Sequence, residues 1–286
     1  MKLGVVFPQT EIGSDPEMVA KFATTAESLG YDHILAYDHV LGADTSNRPD
    51  WKGPYTTLSM FHEPFVLFSY LAGITSSLEF VTGVIILPQR QTVLVAKQAA
   101  SLDVLSKGRL RLGVGTGWNE VEYEALNENF NNRGSRSEEQ IDLLRKLWAE
   151  ESISYEGKWH KVSEAGLNPL PRKRNIPVWL GGMAPQVINR VGRIADGWFP
   201  FFNPGLEKQI KEVHDVATNA GRDPADIGIE CMAGLGEASQ KEKDNLLKLR
   251  DMGVTHSAVV TMNVGLDNPE AHIDAIKRYR DAVGDI

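Results

Sequence analysis

The chain of 286 residues has a formal net charge of −8 and is 42% hydrophobic and 24% charged. Binding to a phosphate backbone requires a basic excess, so this balance argues against a nucleic-acid partner. The single cysteine, Cys231, excludes a disulfide or a cysteine-ligated metal site within the chain and favours a reducing, cytoplasmic setting. No stretch approaches the roughly 20 apolar residues that span a bilayer, and the short apolar start at residues 1–8 does not form a signal-peptide core, so we expect no membrane partner.

Short apolar runs alternate with amphipathic stretches along the chain, as they do where helices join parallel strands. Eight segments are predicted strands: Leu3 to Phe7, His33 to Ala36, Phe80 to Leu87, Leu110 to Val114, Val178 to Leu180, Gly197 to Pro200, Ile227 to Met232 and Ser257 to Thr261. Helices are predicted near 16–29, 64–76, 92–106, 137–150, 185–195, 206–220, 239–252 and 269–283. Eight strands, each followed by a helix, predict an α/β fold, a single (β/α)8 TIM barrel that occupies residues 1–286 as one domain.

Two connections are too long for simple turns. Residues 39–62 are rich in Gly, Asp, Asn, Pro and Trp, and residues 152–176 contain a hairpin-like segment at 154–159. We therefore predict insertions after strands two and four. Long loops of barrels usually build or cover the active site, so we expect both insertions to enclose a substrate.

The strand ends are where catalytic side chains of a barrel lie. Strand two ends in Asp38-His39, a carboxylate beside an imidazole that exchanges protons near neutral pH. The alternative is a polar pair that only caps the strand. Arg90, just beyond strand three, either meets an anionic ligand or lies in solvent.

Glycines mark the ends of strands four and five. Gly113, Gly115 and Gly117 alternate along the end of strand four, where they allow a flat ring or a phosphate to approach the backbone. The spacing G-x-G-x-G differs from the G-x-G-x-x-G of dinucleotide-binding folds, and a generic glycine-rich turn is the alternative. Gly181-Gly182 precedes a predicted helix, whose N-terminal N–H groups suit a phosphate.

Taken together, these stretches resemble the bacterial luciferase-like monooxygenase superfamily, especially its branch that uses the deazaflavin coenzyme F420. The resemblance rests on the order and spacing of motifs over about 190 residues: Gly4 to Gln9, Asp38-His39, Thr82-Gly83-Val84 with Pro88, Gly113 to Asn119, Val178 to Gly182 and Ala195 to Trp198. Members of this superfamily are (β/α)8 barrels that bind reduced FMN or F420 at the C-terminal mouth.

The resemblance implies a role for each motif. Asp38 would contact the polar edge of the ring, and His39 would be the catalytic proton donor. A strand-three bulge, often with a non-prolyl cis peptide, would back the ring, and alignment on Pro88 places that peptide at Val84-Ile85. The implied cofactor contacts are Asp38, Val84, Ile85, Leu87, Gly115, Thr116, Gly117, Trp118 and Asn119, with Gly181, Gly182, Met183 and Ala184 at the phosphate.

One position departs from the family pattern. Sugar-phosphate dehydrogenases of this family have a catalytic glutamate after the strand-four glycines, where this chain has Trp118. The departure argues against sugar-phosphate chemistry and suggests a flatter, more apolar substrate, although Asn119, Glu120 or Glu122 could supply polar contacts nearby. Cations that could meet a polyglutamate tail of F420 are Arg90, Arg133, Arg136, Arg172, Lys173 and Arg174.

The leading hypothesis is hydride transfer between F420 and a small organic substrate, with His39 as acid or base. One alternative is an FMNH2-dependent two-component monooxygenase that uses O2 and is supplied by a separate flavin reductase. Another is a non-catalytic flavin-binding barrel. No metal site is expected, because strand one carries no His-x-His pair. The apolar segment 61–71 either forms a homodimer contact, as helices of the early βα units do in relatives, or faces the barrel.

Overall fold

A computed structural model of the protein describes residues 1–237 and 240–286. The strands are β1 Lys2–Val6, β2 His33–Ala36, β3 Glu79–Thr82, β4 Ile85–Ile86, β5 Leu110–Gly115, β6 Ile153–Glu156, β7 Lys161–Ala165, β8 Val178–Gly181, β9 Gly197–Phe199, β10 Gly228–Gly234 and β11 His256–Val260. The helices are α1 Pro16–Ser28, α2 Pro64–Ala72, α3 Thr92–Leu105, α4 Glu120–Ala125, α5 Arg133–Ala149, α6 Pro185–Ile194, α7 Leu206–Asn219, α8 Gln240–Asp251 and α9 Pro269–Val283.

The strands other than β6 and β7 close into a parallel barrel. The order is β3-β2-β1-β11-β10-β9-β8-β5-β4, and a pairing between β3 and β5 completes the ring. Because β3 and β4 together form one interrupted stave, the barrel has eight staves. The predicted TIM barrel is therefore confirmed. Its parallel strands are buried on both faces, which explains why each appears in the sequence as a short apolar run.

Several helices start at a proline. The first residue of a helix has no intrahelical partner for its backbone N–H, so proline, which lacks this group, costs the helix no hydrogen bond there. In α1 and α9 the preceding side chains, Asp15 and Asn268, accept hydrogen bonds from the backbone N–H groups of Glu17 and Ala271. These caps agree with the predicted starts of the two helices. None of the helices in the described ranges is long and apolar enough to cross a membrane.

The third stave was predicted to be one continuous strand from Phe80 to Leu87, and the structure differs from this prediction. It breaks after Thr82, resumes at Ile85–Ile86 and continues as a 3-10 turn over Leu87–Gln89. The cis peptide joins Gly83 and Val84, so the prediction of Val84-Ile85 was wrong by one residue. Gly83 lies against the side chain of Leu35, and there is no room there for a Cβ atom. The close approach explains why the break falls at a glycine.

Two helix predictions also change, and the start of a third is not tested. The helix predicted at 137–150 begins at Arg133, and a short additional helix, α4, precedes it. The second helix ends at Ala72 rather than 76. The start predicted at residue 239 lies outside the described residues, and α8 is described from Gln240.

The insertion at 152–176 forms the predicted hairpin. Strands β6 and β7 pair antiparallel directly after α5 and before β8. Glu139 of α5 accepts hydrogen bonds from the backbone N–H groups of Trp159 and His160, and His160 also bonds Thr92 at the start of α3. The hairpin therefore lies on the outer helices. That the hairpin helps to enclose the substrate stays a prediction.

The amino-terminal end of the barrel interior contains a buried ionic cluster. Glu230 lies 2.7 Å from His33 Nε2 and 2.6 Å from Arg111, and all three side chains are almost fully buried. Burial opposes ionisation of Glu230, but the charges of His33 and Arg111 outweigh it and lower its pKa to about 2. Burial, then the charge of Arg111, lowers the pKa of the neighbouring His256 to about 3. This cluster lies at the end of the barrel opposite the carboxyl ends of the strands, and its role is structural.

Candidate functional site

A cavity of about 500 Å³ opens at the carboxyl ends of the strands, the volume typical of small-molecule sites. It combines residues from six staves with part of the 39–62 insertion. Its wall is formed by Tyr37, Asp38, His39, Pro54, Tyr55, Gly83, Val84, Ile86, Gly115, Thr116, Gly117, Trp118, Gly181, Gly182, Phe199, Phe201 and Met232. The strand-end motifs predicted from the sequence thus meet at one mouth.

Asp38 anchors the interrupted third stave to the second. Its Oδ2 atom accepts a hydrogen bond from the Ile86 backbone N–H at 3.0 Å, and its Oδ1 atom lies 2.7 Å from Arg90. Arg90 also bonds Glu63 at 2.9 Å. Burial opposes the charge of Arg90, but Asp38 and Glu63 outweigh it and raise the pKa of the guanidinium. Arg90 therefore serves two carboxylates of the protein and is neither a solvated side chain nor free for an anion.

His39 lies at the cavity wall with its Nδ1 atom 3.1 Å from Oε1 of Glu122. Glu122 is buried, and the same oxygen accepts the Val40 backbone N–H at 2.9 Å. Burial raises the pKa of Glu122, but the hydrogen bond and charge of His39 and further hydrogen bonds outweigh it, so the pKa lies below its ordinary value. An ionised carboxylate only accepts hydrogen bonds, so Nδ1 of His39 carries a proton and Nε2 is left for the cavity.

The sequence did not predict the pairing of Glu122 with His39. It indicated only that Asn119, Glu120 or Glu122 could supply polar contacts near Trp118. Asn119 caps α4 through a bond from the Val121 N–H, and Glu122 stands three residues later, the spacing of a capping box. That spacing predicts a bond back to the cap. The structure instead directs the carboxylate to His39 and Gln89.

One part of the wall is nearly free of projecting side chains. Val84 fills the space beside Gly115 and Gly181: a Cβ atom on Gly115 would stand 2.6 Å from the valine, and one on Gly181 would stand 3.0 Å from it. Gly117, with φ of +67°, lies against Ile86 in the same way. The glycines are required here because the strand-three bulge occupies their side-chain space. The result is a smooth surface that matches the face of a planar ring.

Some residues predicted to contact a cofactor lie elsewhere. Ile85 and Leu87 are fully buried in the core, because the break at Gly83–Val84 turns Val84 and Ile86 toward the cavity instead. Asn119 is buried as the cap of α4. The side chains of these three residues do not line the cavity, and their contact with a cofactor stays a prediction.

The predicted phosphate segment lies at the start of α6. Gly181 and Gly182 are in the cavity wall, Met183 accepts a hydrogen bond from the Phe201 N–H, and Ala184 is the residue before the helix. No side chain caps the helix, so its first N–H groups have no side-chain acceptor. The segment is therefore compatible with an anion, and its contact with a cofactor phosphate stays a prediction.

The cations proposed for a polyglutamate tail are dispersed. Arg133 stacks on Phe130, and Arg136 pairs with Glu128. Arg172, Lys173 and Arg174 precede β8 and so belong to the opposite end of the barrel from the cavity. In the described parts of the chain, no group of three or more His, Cys, Asp or Glu side chains is arranged to hold a metal ion.

Aromatic rings surround His39. Its imidazole lies 4.7 Å from Tyr55, 4.9 Å from Phe61 and 5.7 Å from Trp118, measured between ring centroids. Two of these rings come from the 39–62 insertion, which therefore does reach the cavity as expected. The histidine is held by tilted and edge-on ring contacts and by its hydrogen bond with Glu122.

The sequence profile of the luciferase-like monooxygenase family matches residues 1–253. An uncharacterised protein of Mycobacterium tuberculosis is 31% identical over 258 residues, 87% of this chain and 86% of its own length. An F420-dependent hydroxymycolic acid dehydrogenase of the same organism is 28% identical over 98% of this chain and 80% of its own. An FMNH2-dependent dimethylsulfone monooxygenase of Pseudomonas fluorescens is 27% identical over 81% of this chain and 61% of its own.

Solved structures share the fold over nearly the whole chain. The monooxygenase RslO1 of Streptomyces bottropensis superposes with a TM-score of 0.80 at 19% identity, covering 99% of this chain and 98% of its own. An F420-dependent secondary alcohol dehydrogenase gives the same TM-score at 17% identity, covering 99% of this chain and 99% of its own. The resemblance drawn from the sequence motifs is confirmed at the level of family and fold.

Proposed function

We propose that this chain, which belongs to the luciferase-like monooxygenase family, is an oxidoreductase that binds coenzyme F420 in the strand-end cavity and acts on a small organic substrate. One observation carries the proposal: a histidine whose Nδ1 atom is held by a buried carboxylate lies in the same cavity as a smooth wall of glycines and valine. A relative described as F420-dependent, aligned over 98% of this chain, supports this cofactor.

The residues present fit a planar ring. Val84 provides an apolar face between Gly115 and Gly181, and a side chain on either glycine would disturb it. The cavity volume of about 500 Å³ suits a tricyclic ring with a small substrate beside it. When bound, a reduced deazaflavin supplies a hydride, while the protein supplies orientation and proton exchange.

The proposed proton carrier is Nε2 of His39. Because the ionised Glu122 holds the proton on Nδ1, Nε2 is the atom that takes a proton from a substrate hydroxyl or returns one to a substrate oxygen. The neighbouring rings of Tyr55 and Trp118 keep the imidazole in one orientation and exclude water from its flanks. Asp38 holds the ring wall in place through Ile86.

The first experiment is a titration of the purified protein with F420 and, separately, with FMN, followed by cofactor fluorescence. We expect saturable binding of F420 and turnover in the absence of oxygen. Binding of neither cofactor would contradict the proposal. Cofactor binding without turnover on a broad panel of alcohols and ketones would favour a non-catalytic flavin-binding barrel.

A second candidate is an FMNH2-dependent monooxygenase, which the similarity to the dimethylsulfone enzyme supports. A separate flavin reductase would then be a partner of this chain. The two candidates differ in their need for oxygen. Oxygen consumption that matches product formation, together with preferred binding of reduced FMN, would replace F420 by FMN in the proposal.

A further inference from the structure

The part of the cavity wall around His39 is formed mainly by aromatic rings. We call Tyr55, Trp118 and Phe201 the aromatic subsite; all three line the cavity together with His39. Trp118 is 42% exposed and Phe201 is 66% exposed. Large apolar side chains left open at the rim of a cavity are a common mark of a ligand surface, because covering them releases water.

The 39–62 insertion sets the position of Trp118. The rings of Trp51 and Trp118 lie 5.7 Å apart, and Gly53 lies so close to both indoles that a Cβ atom there would clash with them. Tyr55 packs on His39 from the same insertion. Packing between the insertion and the loop after β5 therefore fixes the positions of Tyr55 and Trp118, while Phe201 lines the same cavity from the segment after β9.

The cavity also offers no counter-ion for an anionic substrate. Among the wall residues in the described chain, Asp38 carries a carboxylate that Arg90 neutralises, and His39 is paired through Nδ1 with the carboxylate of Glu122. No lysine or arginine from residues 1–237 or 240–286 lines this cavity. A carboxylate or phosphate bound against the aromatic subsite would lose water without gaining an opposite charge.

We propose that the aromatic subsite selects a neutral, largely apolar substrate. Its hydrocarbon part lies against Tyr55, Trp118 and Phe201, and its one oxygen atom meets Nε2 of His39. This inference rests on the proposed function, whose substrate class it names. It excludes anionic substrates on the basis of the charges in the wall, independently of which cofactor is bound.

The test compares two ketones that differ by one carboxylate: 4-phenylbutan-2-one and 4-(3-oxobutyl)benzoate. Their dissociation constants are measured at pH 7.5 by ligand-observed NMR titration, with the protein alone and with the protein saturated with F420. We expect the neutral ketone to bind at least 10-fold more tightly. Equal affinities, tighter binding of the carboxylate, or no binding of the neutral ketone would overturn the inference.

A variant that introduces a positive charge into the aromatic subsite makes this test more specific. Trp118 is partly exposed, so Trp118→Lys adds a cation to the subsite without opening the core. We expect the preference for the neutral ketone to fall at least 10-fold, whereas Trp118→Phe retains it. The matched control is Trp159→Lys in the outer hairpin, which should leave both affinities unchanged. If Trp118→Lys and Trp159→Lys behave alike, the subsite does not select the substrate.

The two proposals fail in different ways. If F420 and FMN both fail to bind, the proposed function is wrong, while the ketone affinities of the unloaded protein still decide the substrate class. If F420 binds and the carboxylate is preferred, the cofactor proposal stands and the inference on the aromatic subsite falls.

Discussion

The Nδ1 atom of His39 lies 3.1 Å from the Oε1 atom of Glu122, a residue 83 positions later in the chain. The contact joins the loop after β2 to helix α4, and Glu122 also fixes the Val40 backbone at 2.9 Å. A carboxylate in this position determines which imidazole nitrogen is protonated and how the ring is oriented. Three of the predictions below concern the cavity that this pair serves.

Replacing Glu122 by Gln should reduce turnover about 10²-fold while F420 affinity changes little, because the amide no longer requires the proton to be on Nδ1 of His39. The pH profile of kcat/KM should also move to lower pH, since a protonated imidazole would lose the nearby negative charge. Steady-state kinetics across pH 5–9 test this. A loss of activity without any shift of the profile, or an equal loss in Glu120→Gln on the exposed side of α4, would indicate a merely structural role.

Replacing His39 by Ala should lower kcat about 10²–10⁴-fold, the usual contribution of a general acid or base. The F420 dissociation constant should stay within about threefold, because the smooth wall at Val84 is untouched. Stopped-flow kinetics and fluorescence titration measure the two quantities on the same preparation. His214→Ala on α7 is the control, and an unchanged rate in His39→Ala would remove this residue from the mechanism.

The wall of the ring site should be sensitive to a single methyl group. In Gly115→Ala the new Cβ atom would stand 2.6 Å from Val84, so the bulge must shift, and we expect F420 affinity to fall at least 10-fold. The double variant Gly115→Ala/Val84→Ala should regain part of that affinity because the clash is relieved. Gly134→Ala, where the new methyl group meets no atom within 4 Å, is the matched control. Normal F420 binding by Gly115→Ala would contradict the assigned wall.

The ionic cluster inside the amino-terminal end of the barrel should make the stability of the protein sensitive to acid. The pKa of Glu230 is lowered to about 2, so its contribution, about 3 kcal/mol, is complete above pH 4.5 and is lost as the pH falls toward 2. The lowered pKa of His256 acts in the same direction: below pH 6.5 the unfolded chain takes up a proton that the native protein binds only near pH 3. Denaturant melts at pH 7, 5 and 4 should show decreasing free energies of unfolding.

The variant Glu230→Gln should lower the free energy of unfolding by about 3–5 kcal/mol at pH 7, because it leaves Arg111 buried without its closest charge. Its dependence on pH below 4.5 should be weaker than in the parent protein. Urea denaturation gives both values. Glu237→Gln, a substitution of an exposed carboxylate, serves as the control, and equal stabilities of the two variants would show that the cluster contributes little.

We also expect a homodimer through α2, the helix of the predicted contact segment. Val66 and Tyr70 are 69% and 44% exposed at four-residue spacing, and Ile74 continues the same row beyond the helix at 41%. Burying such a row against a second copy would remove apolar surface from water. Light scattering should show a dimer that Val66→Asp converts to a monomer, with Lys52→Asp as a control. A parent protein that is monomeric at all concentrations would contradict this.

Much of the fold was predictable because each stave is buried on both faces and is therefore a short apolar run. The histidine was predictable because strand ends carry the chemistry of a barrel. Long-range pairings were not predictable. Arg90 meets carboxylates 27 and 52 residues away, and no local sequence pattern predicts either contact. The pairing of Glu122 with His39, 83 residues earlier, likewise has no local sequence signal. The place of the cis peptide depended on the contact of Gly83 with Leu35, which only tertiary packing defines.

Arg90 touches Asp38, the residue just before the 39–62 insertion, and Glu63, the residue just after it. One guanidinium thus ties together the two ends of the loop that supplies Tyr55 and supports Trp118. The two ends of the substrate-facing loop are therefore fixed to the barrel independently of the residues between them. We expect that loops of other lengths and sequences can replace residues 40–62, provided that Asp38, His39, Glu63 and Arg90 are kept, which gives protein engineers a defined pair of splice points for changing specificity.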